Sequence, residues 1–255
     1  MASNVTRRQT PEERELAAKK AELAALEIQL ADRELEVATL RVELHNFEQR
    51  YIREVGVKFA EIDALEAHIA AVLSRLNPFD ETARQRAETA RAIARESAGA
   101  TAEIGRSTRP VDFTPSDDLK RLYREIAKRI HPDLATDDSE RAKRNQLMAE
   151  ANRAYENGDE ARLRAILDEW ETSPDAITGD GVGAELVRII RKIHQVQTRL
   201  ARIQIDIAAM TRSELGVLKV RADSERTRGS DLLAQMAAQL DEQIVELKRK
   251  KDALS

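Results

Sequence analysis

No cysteine occurs anywhere in the chain, which removes disulfides, thiolate nucleophiles and zinc–thiolate sites together. That absence suits a reducing cytoplasm. Aromatic residues fill only 3% of the 255 positions, and there are just 9 Gly and 6 Pro. So little aromatic bulk argues against a large globular core, and so few chain breakers leave room for long helices. No apolar run approaches the ~18 residues of a membrane span, and the opening "MASNVTRRQT" lacks the apolar stretch of a signal peptide. A soluble, cytoplasmic protein with no membrane contact is the expectation. A dominant charge is missing too: the formal net charge of -4 argues against coating nucleic acid through a positive field. Nucleic acid is a disfavoured partner, and any basic site must be local.

What the chain does have is charge of both signs, 35% of all residues, wound around repeating apolar positions. "TPEE" opens the first repeat with Thr10 as cap, Pro11 at the first helical position and Glu13 where a capping box places its acid. Leu23, Leu26, Leu30, Val37, Leu40, Leu44, Phe47 and Tyr51 follow at alternating three- and four-residue steps, with Arg33 the one polar intruder. This is a heptad seam. It steps by four twice, through Val55 and Phe59 beside Gly56, before Ile62, Leu65, Ile69, Val72 and Leu76 restore the alternation. Extra four-residue steps locally relax supercoil winding. A second seam carries Leu186, Ile189, Ile193, Val196, Leu200, Ile203, Ile207 and Met210, weakens around "RADSERTRGS", and recovers at Leu233, Leu240, Ile244 and Leu247.

These patterns predict an all-α fold: a long antiparallel coiled-coil hairpin with a small helical module inserted at its tip. The expected divisions are a flexible N-terminus (1–10), a first coiled-coil helix (11–77), an Ala/Arg/Glu-rich helix and linker (78–114), the module (115–173), a Gly-containing hinge (174–183) and a second coiled-coil helix (184–255). Parallel pairing of seams between two copies, a homodimer, is the competing arrangement. The segment "ETARQRAETARAIARESAGATAEIGR" has helical propensity but few large apolar side chains, since Ile93 and Ile104 cannot make a core. It reads as a solvated helix, a third layer lying weakly on the hairpin, or a partly disordered stretch. In the linker "STRPVDFTPSDD", Thr114 is the expected cap, with Asp117 at the third helical place.

Chemistry concentrates in "LKRLYREIAKRIHPDL". On a helical wheel Leu119, Leu122, Tyr123, Ile126 and Ile130 share one arc, while Lys120, Arg121, Arg124 and Lys128 oppose it and Arg129 lies off the main cluster. One face packs; the other projects positive charge. Pro132 then forces the chain out of the helix, which places His131 and Asp133 in an expected exposed turn. After "LATDDS", Leu147, Met148, Ala151 and Tyr155 recur at helical spacing until Asn157 and Gly158, and a further helix carries Leu163, Ile166, Leu167 and Trp170 before Ser173 and Pro174. Tyr123, Tyr155 and Trp170 read as core residues.

A basic amphipathic helix, His-Pro-Asp, a loop, and a helix containing "AEANRAY" resemble the J domain of DnaJ-type co-chaperones over roughly Leu119 to Gly158. The resemblance implies docking on a DnaK-type ATPase chaperone, with Lys120, Arg121, Arg124, Lys128 and Arg129 as surface contacts and His131, Pro132 and Asp133 as the trigger. It also implies that hydrolysis occurs on the partner's nucleotide, so that this chain is not itself an enzyme, and that the coiled-coil arms target a client or complex of unknown identity. Ahead of the basic helix the family has a short aromatic-containing helix, where this chain has only Val111 and Phe113 in a linker. The helix ending at Trp170 is the candidate replacement. The Gly/Phe-rich and cysteine-rich modules of larger members have no counterpart.

The competing reading is a structural coiled-coil scaffold with a degenerate J-like module. "GDGVG" at Gly179–Gly183 has the wrong spacing for a nucleotide fingerprint and reads as a hinge. His45, His68 and His194 lie far apart in sequence, so no cofactor or metal is expected.

Overall fold

Thr10 and Glu13 form the expected reciprocal box: the Glu13 amide donates to Thr10 Oγ1 at 3.2 Å, and the Thr10 amide to Glu13 Oε2 at 2.9 Å. From it starts α1 (Pro11–Tyr51) in a computed structural model that describes residues 10–104, 113–135, 137–171 and 182–254. The remaining helices are α2 (Val57–Leu76), α3 (Glu81–Ile104), α4 (Asp117–Ile130), α5 (Asp138–Asn157), α6 (Glu160–Glu171), α7 (Val182–Arg212), α8 (Glu214–Thr227) and α9 (Leu232–Ala253). Among the described residues the fold is all-α, with no strand, and no helix is long and apolar enough to cross a membrane. The N-terminal segment up to residue 9, expected to be flexible, together with Val111, Ser173, Pro174 and most of the expected Gly-containing hinge, lies outside the described residues. Two compact units result, Met1–Val42 with Thr114–Met210 and Glu43–Phe113 with Thr211–Ser255.

In the first unit α1 and α7 bury one seam between them. Leu16, Leu23, Leu30 and Val37, each seven residues after the last, cluster with Ile189, Ile193, Val196 and Ile203. Their direction follows from the ion pairs at the edges. Lys20 Nζ meets Glu185 at 2.6 Å and Arg199 meets Glu34 at 2.7 Å, and in both pairs the partner lies 165 residues further along the chain. Residue numbers rise together, so the two helices are parallel. The antiparallel hairpin expected from the two seams is therefore corrected. Equal seam lengths cannot encode direction, because direction is set by what the intervening chain does.

In the second unit, Arg50 pairs with Asp231 at 2.5 Å, Lys58 with Asp241 at 2.6 Å and Lys248 with Glu61 at 2.8 Å, so α1–α2 and α9 again run the same way. Phe47, Val55, Ile62, Leu233, Leu240 and Ile244 fill their core. The chain reverses at α3, which turns at Asn77–Asp80 and lies back along α2, with Ser97 Oγ donating to Asp63. Of the three readings of the Ala-rich segment, the third layer is the one observed. Buried Ala67 and Ala87 explain why: small side chains let two helix backbones approach where bulky ones could not. Ile93 remains 48% exposed.

At the double four-residue step the backbone takes up the phase change as a π-turn, Ile52–Gly56. Val55 is fully buried there, and a methyl group on Gly56 would meet Ile52 Cγ2 at 3.0 Å. A glycine fits where a side chain would crowd.

Because the chain has no cysteine, direction can be read by crosslinking. Lys20→Cys with Glu185→Cys is expected to join through a short bis-maleimide, whereas Lys20→Cys with Asp206→Cys, which the parallel pair holds about 30 Å apart, is not. Leu30→Ala, at a site 1% exposed, is expected to cost about 3 kcal/mol in urea unfolding.

Candidate functional site

Helix α4 begins two residues later than its sequence suggests. Ser116, not Thr114, is the cap, accepting from the Leu119 amide at 3.0 Å, and its hydroxyl donates to Glu160 Oε1 at 3.0 Å. That second bond ties the start of α4 to the start of α6. The apolar arc of α4 closes against α5 and α6: Leu119, Tyr123, Ile126, Ile130, Leu163 and Ile166 are each no more than 1% exposed. Tyr123 stacks at a tilt on Tyr155, ring centres 4.7 Å apart, and donates to Asn152 Oδ1 at 2.6 Å. Burial, and then the charge of Glu34, push the Tyr123 hydroxyl's pKa far up, so it stays a donor.

Helix α6, which ends beside Trp170, packs on both α4 and α5, and α1 adds a further wall. Besides its seam, α1 carries a second buried stripe of Ala31, Leu35, Ala38 and Val42. From the same stretch Thr39 Oγ1 shares a hydrogen bond with Tyr155 OH at 2.9 Å.

The C-terminus of α4 is held by a residue that the sequence pattern offers little reason to single out. Arg144, only 8% exposed, donates to the carbonyls of Arg129 at 3.0 Å and His131 at 3.3 Å. It satisfies oxygens that a helix end leaves without partners. Glu140 fixes the guanidinium from one turn away at 2.6 Å, and the Trp170 ring lies 4.6 Å beneath it. The i,i+4 spacing of Glu140 and Arg144 is the one signal of this in the sequence. Trp170 is half-buried and serves as that platform rather than as a fully buried core residue.

Past Ile130, Pro132–Leu134 forms a single 3₁₀ turn, with the Leu134 amide donating to the His131 carbonyl at 3.0 Å. His131, Pro132 and Asp133 are thus brought together as the sequence implies. Their exposure is not as expected. His131 is 2% exposed, while Pro132 and Asp133 are half-buried. The Asp133 amide donates to His131 Nδ1 at 3.2 Å, which places the ring proton on Nε2, 3.0 Å from Glu34 Oε1. Arg199 Nε donates to the same oxygen at 2.7 Å. Burial alone would push the Glu34 carboxyl up, but His131 and Arg199 outweigh it and hold it below the ordinary carboxylate range. Leu134, 6% exposed, joins the apolar cluster of the α1–α7 seam. The expected exposed turn is corrected at His131: an imidazole with two directed partners gains more from them than from water.

The basic row stays outward. Arg121, Arg124, Lys128 and Arg129 are exposed and Lys120 is half-exposed. Lys120 and Arg121 lie near Asp117 and Asp118 of the first turn, Arg129 meets Glu125 at 2.6 Å, and Arg124 reaches Asp32 of α1 at 2.6 Å. Asp133, Asn145, Met148 and Asn152 line a cleft of about 370 Å³ floored by Glu34, His131 and Arg199. Among the described residues no group of His, Asp and Glu is placed to hold a metal ion.

Glu34→Gln is expected to lower stability by about 2 kcal/mol at neutral pH, the scale of a hydrogen bond to a charged group. Since the native carboxyl lies below its unfolded value of 4.5, its contribution is present above that pH and fades as pH falls through the native value. Urea unfolding of both proteins should therefore show a gap at pH 7 that narrows as the pH is taken below 4.5. A search of known protein families, of curated proteins and of solved structures matches this chain to none of them.

Proposed function

We propose that this protein is a J-domain co-chaperone that docks on a DnaK-type ATPase chaperone in the cytoplasm and stimulates its ATP hydrolysis. The supporting observation is the finger itself. A helix with an outward basic row ends in a proline-fixed His-Pro-Asp turn and pairs with α5 through Tyr123, Asn152 and Tyr155. Lys120, Arg121, Arg124, Lys128 and Arg129 would meet an acidic surface of the partner, speeding encounter in a salt-dependent way. Asp133 would supply a charge-assisted bond to a partner cation. The chemistry belongs to the partner, and this chain favours the partner's hydrolysis-competent state. The helices outside the finger would target a client or complex.

A second reading is favoured by His131 and Leu134, which are packed against α1 and α7. In it the tripeptide is a structural joint and the chain a scaffold.

Asp133→Asn discriminates between them, because the side chain is 29% exposed and the turn is held by its backbone amide. Single-turnover ATP hydrolysis by a DnaK-type chaperone is expected to accelerate with wild type and to fall at least tenfold with Asp133→Asn, at unchanged helical circular dichroism. Absence of acceleration by wild type at low salt, across several such chaperones, would leave the scaffold reading in place.

A further inference from the structure

We propose that α1 is a built-in acidic cover for the trigger, holding the finger in a closed state that a partner must open. This rests on the co-chaperone reading. One of the basic groups expected to meet the partner and the first residue of the trigger already meet acids of α1: Asp32 takes Arg124 at 2.6 Å and Glu34 takes His131 at 3.0 Å. Both belong to one stretch of α1, in which Thr39 makes the third polar contact, to Tyr155. That stretch presents to the finger the charge that an acidic ATPase surface would present. Being part of the same chain, it competes at high effective concentration.

The cover differs from the ordinary surface pairs of this protein. The Glu34 and His131 side chains are 7% and 3% exposed, and Arg199 of α7 neutralises the carboxylate so that it can stay buried. Leu134 locks the same turn into the α1–α7 seam. A visitor cannot reach His131 while Glu34 holds it. Because Asp32, Glu34 and Thr39 lie within about two helical turns, any movement of that stretch weakens all three contacts together.

The cover is tested on the full chain by two independent readouts. His131 labelling by diethyl pyrocarbonate, located by mass spectrometry, reports access, with exposed His68 and His194 as internal references. Stimulation of single-turnover ATP hydrolysis by a DnaK-type chaperone reports function. Glu34→Ala is expected to raise His131 labelling relative to His68 by about tenfold, the population shift expected for losing a buried contact. It is also expected to raise stimulation severalfold at sub-saturating protein. Adding His131→Gln to Glu34→Ala should abolish that gain. Glu34→Gln, which keeps the side chain's shape, should shift both readouts in the same direction but less, and circular dichroism confirms that each variant remains folded.

Unchanged labelling in a folded Glu34→Ala protein overturns the cover. Faster labelling with equal stimulation by wild type and variant overturns its inhibitory role. Faster labelling with no stimulation by any variant overturns the co-chaperone reading instead, and leaves Glu34 as a structural clamp.

Discussion

One carboxylate joins three parts of the first unit. Glu34 sits on α1, receives His131 from the end of α4, and receives Arg199 from α7. A lone buried carboxylate would be costly, and one neutralised from a single side would leave its own partner unpaired on removal. Held from two sides, it fixes where the finger lies on the helix pair and what the His-Pro-Asp turn faces. Leu134 in the apolar seam does the same from the other end of the turn. Polar and apolar anchoring therefore agree within four residues, and that agreement defines a single arrangement.

Parallel pairing is the second constraint, and it holds in each unit. In the first, Leu23, Leu30 and Val37 find Ile189, Val196 and Ile203 at the same level. Two parallel helices of one chain need a return between them, and α3 is one such return. A helix of alanines and charged residues carries no large core, yet it reverses the chain, because Ala67 and Ala87 let it lie close along α2. Helix α1 meanwhile works on two faces, one toward α7 and one that offers Ala31, Leu35, Ala38 and Val42 beside the finger.

Heptad spacing makes both seams legible in the sequence, and nearly every residue named in them is buried or half-buried; Phe59 and Leu76 are the exposed exceptions. The amphipathic split of α4 is equally legible, since Leu119, Tyr123, Ile126 and Ile130 are spaced for one face. Direction is not legible, because a seam reads the same from either end and Ala-rich interfaces carry no apolar period to detect. The burial of His131 is hidden for a related reason. Its partner Glu34 lies 97 residues away on a helix whose charged positions all look alike, and only geometry singles one out. Arg144 shares that anonymity, since its partners are backbone carbonyls that every residue possesses.

Partners 165 residues apart in the chain also impose an order on events at the ribosome. When Leu16, Leu23, Leu30 and Val37 emerge, the isoleucines and valine that will cover them have yet to be translated. At ordinary elongation speeds the gap is on the order of 10 s. For that interval the nascent rod exposes a greasy stripe seven residues in period, the kind of surface that holding factors bind. A protein proposed to help other chains thus begins life needing shelter itself.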